Sequence, residues 1–137
     1  MTTKKKKAAS RPPIRMIDSE AEVLSNLALS VEDRLPDLSD MLLEEIGRAK
    51  LFARHAIAPD VVTMNATVAF IDEASGTDRT VQLVFPKDAD IAAGKVSILT
   101  PVGAGLIGLS KGQSIVWPDR DGHERRLTIV EVSQPAA

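Results

Sequence analysis

The sequence predicts an α+β fold in which a short antiparallel helical hairpin precedes an antiparallel sheet with one short helix. Apolar residues recur at helical spacing up to residue 58, and from residue 60 onward they alternate with polar residues. The Asp121-Gly122 pair is also a strong signal for a tight turn between two strands. The change of period predicts a helical unit, residues 17–58, and a sheet unit, residues 59–133, that meet next to Pro59.

Both ends of the chain lack apolar periodicity. Lys4 to Lys7 form an unbroken run of lysines, and Pro12 and Pro13 follow. We therefore expect residues 1–16 to form a basic disordered tail and residues 134–137 to form a second short tail. The basic tail is either solvated or an arm that contacts nucleic acid or an acidic protein surface.

The composition argues against several classes of protein. The 137 residues include no cysteine, which removes disulfides, thiolate nucleophiles and thiolate metal sites. The formal net charge of -2 favours neither a membrane nor sequence-specific nucleic acid as a partner. The sequence contains no signal-peptide core and no apolar run of about 18 residues, so a cytoplasmic location is expected.

The first helix is expected to begin at Ser19, because Ser19 and Glu22 have the spacing of a capping box. The helix should end near Ser30, and Pro36 lies in the turn that follows. Its expected apolar face consists of Val23, Leu24 and Leu27.

The second helix has the clearest helical pattern in the chain. Its apolar stripe consists of Leu42, Ile46, Ala49, Ala53 and Ala56. Asp37 or Ser39 can cap it, and a length of about 18 residues corresponds to roughly 27 Å. Because neither helix can bury its stripe alone, the two are expected to pack as a hairpin.

Five short antiparallel strands are expected in the sheet unit. The first has Val62, Met64, Ala66, Val68 and Phe70 on one face and Thr63, Asn65 and Thr67 on the other. The second contains Val81, Leu83 and Phe85, and Pro86 ends it. The other three are KVSIL, QSIVW and RRLTIVEV.

The stretch GAGLIG, residues 103–108, has the G-x-G-x-x-G spacing of a dinucleotide-binding loop. In that loop the glycines precede the helix, whereas here Thr100 and Pro101 can begin a helix before the glycines, and Gly112 reverses the chain within about three turns. We therefore expect a short helix that lies close to the sheet and binds no cofactor. Its small face would be Gly103, Gly105 and Gly108, and its anchors Leu106, Ile107 and Leu109.

The remaining polar residues do not predict an active site. His55 is expected at a helix end and His123 in a surface turn, and neither has the neighbours of a catalytic triad. Three acids, Asp72, Glu73 and Asp78, are expected to be solvated in a loop.

The turn of the hairpin is acidic. Its carboxylates are Glu32, Asp33, Asp37 and Asp40. Carboxylates at the end of a projection can be presented to a magnesium ion held by a partner, which makes Asp33, Asp37 and Asp40 weak candidates for metal contact. The alternative is an ordinary solvated turn.

Four segments, PDVVTMNATVAF, LVFP, ILTPVGAGLIGLSKGQSIVW and LTIVEV, closely resemble the Rnk proteins, regulators of nucleoside diphosphate kinase. Those proteins belong with the bacterial transcript-cleavage factors of the Gre type. The resemblance covers roughly residues 17–132. In the Gre signature, Ser-Pro opens the short helix and Gly-Asp ends it, whereas this chain has Thr100-Pro101 and Gly112-Gln113 at those places.

The resemblance implies an N-terminal coiled coil and a sheet domain of the FKBP-like type. It also implies a protein that is not an enzyme and that binds RNA polymerase near the secondary channel, acting as a monomer. The residues that would contact the polymerase are Thr100, Pro101, Val102, Gly103, Leu106 and Gly108 in the sheet domain, with Asp33 and Asp37 at the hairpin tip.

Two alternatives remain at this point. Gre factors use acidic tip residues to help hold a catalytic magnesium, so cleavage stimulation through the tip is one alternative. A prolyl isomerase or other binding module is the second, since the FKBP-like fold is shared. The short hairpin, and Ala104 where Gre factors usually have arginine, place the chain closer to Rnk.

Overall fold

The computed structural model describes residues 12–73, 75–118 and 123–135. Three helices and seven strands form in that part of the chain. In order they are β1 (Arg15–Ile17), α1 (Asp18–Ser30), α2 (Pro36–Arg48), β2 (Lys50–Phe52), β3 (Thr67–Asp72), β4 (Thr77–Val84), β5 (Lys95–Ser97), α3 (Pro101–Leu106), β6 (Ser114–Pro118) and β7 (Glu124–Ser133). The predicted α+β class is confirmed.

The five later strands form one sheet in the order β5-β4-β3-β7-β6. β3 pairs antiparallel with β4 and with β7, and β6 pairs antiparallel with β7, as predicted. The prediction of an entirely antiparallel sheet is wrong for β5, which pairs parallel with β4 through residues 82–84 and 95–97. Two short 3-10 turns lie between β4 and β5. They reverse the chain so that β5 can run in the same direction as β4. The turn predicted at Asp121-Gly122 lies outside the described residues.

The first predicted strand has the expected buried face but a different backbone. Its five predicted inward residues are at most 1% exposed: Val62, Met64, Ala66, Val68 and Phe70. Regular pairing begins only at Thr67, because Asn65 adopts a left-handed conformation with φ 68°. This irregular backbone also buries Thr63, which was predicted on the opposite face.

The segment before α1 is packed into the core where the structure describes it, which corrects the predicted tail at residues 12–16. Ile14 and Met16 are each 2% exposed and belong to the main core. β1 pairs parallel with β2, and the Arg15 amide donates to the Gly108 carbonyl at 3.1 Å. Ile14 and Met16 flank the polar Arg15, but a pattern of two apolar residues is too short to distinguish a strand from a tail. Residues 1–11 lie outside the described residues.

The end of the chain is also held more tightly than predicted. The Gln134 side-chain amide donates to the carbonyl oxygens of Ala58 and Val61, each at 2.9 Å. Gln134 therefore joins the end of β7 to the segment that leads into the sheet. Residues 136 and 137 of the predicted tail lie outside the described residues.

Helix α1 begins one residue earlier than predicted and without a side-chain cap. Ile17 occupies the N-cap position, and Ser19 is inside the helix, so the predicted capping box does not form. The buried face is Ala21, Leu24 and Ala28, whereas Val23 is 49% exposed. The prediction chose the larger apolar residues and therefore placed the buried face too far round the helix. The observed face includes two alanines, whose small side chains allow close packing.

Helix α2 is shorter than predicted. It ends at Arg48 after 13 residues, or about 20 Å, because Ala49 is already extended and β2 follows. Ala49, Ala53 and Ala56 therefore do not continue the helical stripe. Leu35 is the N-cap residue, and Ser39 lies inside the helix, where its buried hydroxyl donates to the Ala28 carbonyl of α1 at 2.8 Å.

The hairpin and the sheet share one hydrophobic core. Leu24 and Leu42 from the helices belong to the same buried cluster as Ile14, Leu83 and Leu106. Helix α3 lies between the sheet and the hairpin and packs on both α2 and β6. The hairpin is therefore attached to the sheet domain along its side.

Candidate functional site

Helix α3 begins as the sequence predicts. Thr100 is its N-cap, and its hydroxyl accepts a hydrogen bond from the Gly103 amide at 3.0 Å while donating to the Ser97 carbonyl at 2.8 Å. Pro101 follows in the first turn, where its missing amide proton costs nothing. The two hydrogen bonds of Thr100 thus connect the start of the helix to the end of β5.

Two glycines allow α3 to lie against the sheet. A Cβ atom at Gly103 would be 2.3 Å from the Ser97 carbonyl oxygen, and one at Gly105 would be 2.9 Å from Cγ of the Trp117 ring. Neither space admits a side chain. The predicted close-packing role of Gly103 and Gly105 is confirmed.

Gly108 has a different role from the one predicted. The helix ends at Leu106, after six residues, so Gly108 lies beyond it with φ +84°. A Cβ there would approach Ile14 Cβ at 3.0 Å and the Arg15 carbonyl oxygen at 3.1 Å, so this glycine accommodates strand β1. Gly112, with φ +89°, makes the predicted reversal into β6.

An open cleft of about 390 Å³ lies beside the N-terminal end of α3. Its lining comes from β4, β5, the 3-10 turn before β5, the start of α3 and the start of β7. The lining residues are Arg79, Ala89, Ile91, Lys95, Val96, Ser97, Thr100, Pro101, Val102 and Arg125. We refer to this surface as the α3 cleft.

Half of the predicted contact residues of the sheet domain are accessible at the α3 cleft. Thr100, Pro101 and Val102 line it and are partly exposed. The other three, Gly103, Leu106 and Gly108, are buried and do not line it. They support the cleft from behind, since each packs α3 or its following turn against a neighbouring element.

The sequence reading missed the three basic residues of the α3 cleft. Arg79 lies over the Phe70 ring, with its guanidinium carbon 5.9 Å from the ring centre. Arg125 makes a direct ion pair with Asp72. Asp72 is only 6% exposed and belongs to β3, so its predicted place in a solvated loop is wrong. Arg79, Lys95 and Arg125 come together only through the strand pairing, which explains why no local motif predicted them.

The acidic tip is exposed, as predicted. Glu32 and Asp33 lie in the turn, and Asp37 and Asp40 lie in the first turns of α2. None of the four lines the α3 cleft. Among the described residues, no three acidic or histidine side chains form a group that could hold a metal ion.

A buried carboxylate, Glu45, and a partly buried one, Glu20, were also missed. Glu45 is 0% exposed and accepts hydrogen bonds from the Arg48 guanidinium, which also donates to the Pro12 carbonyl at 2.6 Å. The i,i+3 spacing of Glu45 and Arg48 is visible in the sequence, but the contact of Arg48 with Pro12 joins residues 36 positions apart and was not.

Glu20 connects α1 to the segment that leads into the sheet. It accepts a hydrogen bond from the Met64 amide at 3.1 Å and lies 3.5 Å from the Arg54 guanidinium. Burial raises the pKa of Glu20 above its ordinary value, and these two partners oppose that effect.

Both histidines are exposed and lie far apart along the chain. His55 is in a 3-10 turn after β2, and not at the end of a long helix as predicted. His123 directly precedes β7. Within the described ranges, every helix is too short or too polar to cross a membrane.

The sheet domain corresponds to a known family. The profile described as "Transcription elongation factor, GreA/GreB, C-term" matches residues 57–134, more than half of the chain. This range contains the α3 cleft and all five strands of the large sheet.

Relatives with established names extend the match to the hairpin. The "Regulator of nucleoside diphosphate kinase" of Escherichia coli K12 is 34% identical over 129 residues, which covers 93% of this chain and 95% of that protein. "Transcription elongation factor GreA" of Azorhizobium caulinodans is 37% identical over 101 residues, or 74% of this chain and 61% of that protein.

A solved structure agrees with both matches. The "Prokaryotic transcription elongation factor GreA/GreB from Nitrosomonas europaea" is 41% identical and superimposes with a TM-score of 0.70, over 90% of this chain and 99% of that one. The chain therefore belongs to the GreA/GreB family of transcription factors.

Proposed function

We propose that this protein is a regulator that binds RNA polymerase through the α3 cleft, near the secondary channel, and that it has no catalytic activity of its own. The observation that carries the proposal is the partly exposed Thr100-Pro101-Val102 segment on a hydrogen-bonded helix start, within the part of the chain that matches the family. Rigid presentation lowers the ordering cost of binding.

The link to nucleoside diphosphate kinase follows from the relative that matches most of the chain. That relative is named a regulator of the kinase, and its match includes both the hairpin and the sheet domain. We propose that this protein affects the kinase indirectly, through transcription.

The test is direct binding to purified core RNA polymerase. Val102→Asp places a charge in the cleft lining and should weaken binding by about tenfold or more, because it replaces an apolar contact with a carboxylate that must be desolvated when a partner docks. Val130→Asp is the matched control, since Val130 is 45% exposed on β7 and lies outside the cleft. Thermal unfolding of both variants checks that the fold is retained. Absence of binding by the unchanged protein would refute the proposal.

Stimulation of transcript cleavage is the second candidate function. Four exposed carboxylates on the hairpin tip favour it, since they are free to approach a magnesium ion held by the polymerase. The hairpin is only about 20 Å long, which opposes a deep approach. Cleavage in stalled elongation complexes tests it: the triple replacement of Asp33, Asp37 and Asp40 by Ala should abolish stimulation while polymerase binding remains.

Prolyl isomerisation is not favoured. The lining of the α3 cleft contains no aromatic residue, and the nearby Phe70 and Trp117 are at most 2% exposed. The described residues of the α3 cleft therefore do not form an aromatic-walled site for proline. Turnover of a proline peptide would show otherwise.

A further inference from the structure

We propose that the α3 cleft selects an acidic segment of the polymerase that carries an apolar anchor residue. This inference rests on the proposed polymerase binding and adds the chemistry of the partner surface. Two properties of the cleft support it, an uncovered apolar rim and an excess of positive charge.

The apolar part of the cleft is exposed to an unusual degree. Ile91 is 86% exposed, the highest value of any large apolar residue in the described part of the chain. Val96, Pro101 and Val102 continue the apolar surface into the cleft. A protruding side chain such as Ile91 is covered more completely by a polypeptide surface than by a small molecule seated in the cleft.

The charged part is positive and largely uncompensated. The structure records no ion pair between either Arg79 or Lys95 and a described carboxylate, whereas Arg125 is held by Asp72. No acidic residue lines the cleft, and Asp88 and Asp90 are exposed beside the lining residues Ala89 and Ile91. The whole chain nevertheless has a formal net charge of -2, so the cleft differs in sign from the molecule as a whole.

Together these features match a partner segment with carboxylates around an apolar residue. Charges at the rim of an interface accelerate association and set its salt dependence, whereas a central apolar anchor supplies most of the affinity. Arg79 and Lys95 would therefore act on the association rate, and Ile91 on the lifetime of the complex.

The experiment measures association and dissociation rates with core polymerase at several salt concentrations. The double variant Arg79→Glu/Lys95→Glu should weaken binding by about three- to tenfold, mainly through slower association, and should flatten the salt dependence. Lys87→Glu/Lys111→Glu makes the same change of net charge outside the cleft and should have a smaller effect. Ile91→Ser should mainly accelerate dissociation.

Equal effects of the two double variants would overturn the inference while leaving polymerase binding intact, because only the general charge would then matter. Absence of binding by the unchanged protein would instead refute the proposed function, and this inference with it. If the charge reversal unfolds the domain, Arg79→Gln/Lys95→Gln serves in its place, with the same order of affinities expected and the same outcome contradicting it.

Discussion

At the scale of single residues, Gly103 is the glycine of α3 with the least space for a side chain. We expect Gly103→Ala to lower the free energy of unfolding by about 1–3 kcal/mol, because its Cβ would meet the Ser97 carbonyl at 2.3 Å and the backbone would have to move. Denaturant unfolding measures this change.

Gly47 provides the matched control for that substitution. It lies inside α2, and a Cβ there meets no atom within 4 Å. Gly47→Ala should therefore stabilise the protein by about 0.5–1 kcal/mol, because alanine loses less backbone entropy in a helix. Equal effects at the two glycines would contradict the packing role of Gly103.

Glu20 should make stability depend on pH. Because burial raises its pKa in the folded state, the folded protein binds the proton more tightly than the unfolded chain does. The contribution of Glu20 is therefore fully present below the unfolded pKa, about 4.3, and declines as the pH rises through the folded pKa.

The measurement compares unfolding free energies of the unchanged protein and Glu20→Gln over the acidic range. Glutamine keeps an acceptor for the Met64 amide but does not titrate. The stability of the unchanged protein relative to the variant should fall with rising pH. A relative stability that rises with pH would show that the Arg54 pair outweighs burial.

At the scale of elements, strand β1 joins the hairpin to the sheet domain. Ile14 directly precedes β1, is 2% exposed and packs beside Gly108, so Ile14→Ala should cost about 2–5 kcal/mol. Leu51→Ala in the partner strand is the control, since Leu51 is 52% exposed and should cost little. Thermal or urea unfolding distinguishes them, and a small effect at Ile14 would mean that β1 is dispensable.

The same strand explains the main errors in reading the elements from the sequence. Helix α2 was extended through Ala49, Ala53 and Ala56 because their spacing is helical, but Lys50–Phe52 pairs with a segment 35 residues earlier. A local pattern does not contain that partner. Elements whose signals are local, such as the Thr100 cap and the β3–β4 pair, were predicted correctly.

The candidate site also combines residues that the sequence could predict with residues that it could not. Thr100, Pro101 and Val102 were expected as contact residues because they match the position of the Gre signature, and their local pattern also predicted the helix start that the structure shows. Arg79 and Lys95 belong to different strands, and the parallel register of β4 and β5 could not be predicted from alternation alone. The polar side of the α3 cleft therefore became visible only in the structure.

At the scale of the whole molecule, the shared core predicts one cooperative unit. Leu24→Ala in α1 removes a fully buried side chain from a cluster that includes the sheet, so it should lower the melting temperature of the entire protein. Calorimetry should give one transition whose measured enthalpy equals the van 't Hoff value. A separate early transition for the hairpin would contradict a common core.

The hairpin is attached to the sheet domain along its side, so any tilt of the hairpin also displaces its acidic tip. With an arm of about 20 Å, a tilt of about 10° at the base would move the tip by about 3.5 Å, more than the length of a hydrogen bond. The contacts of Arg48 with Pro12 and of Glu20 with Met64 oppose such a tilt. In the proposed complex with RNA polymerase, these contacts would determine where the four negative charges of the tip lie on the partner.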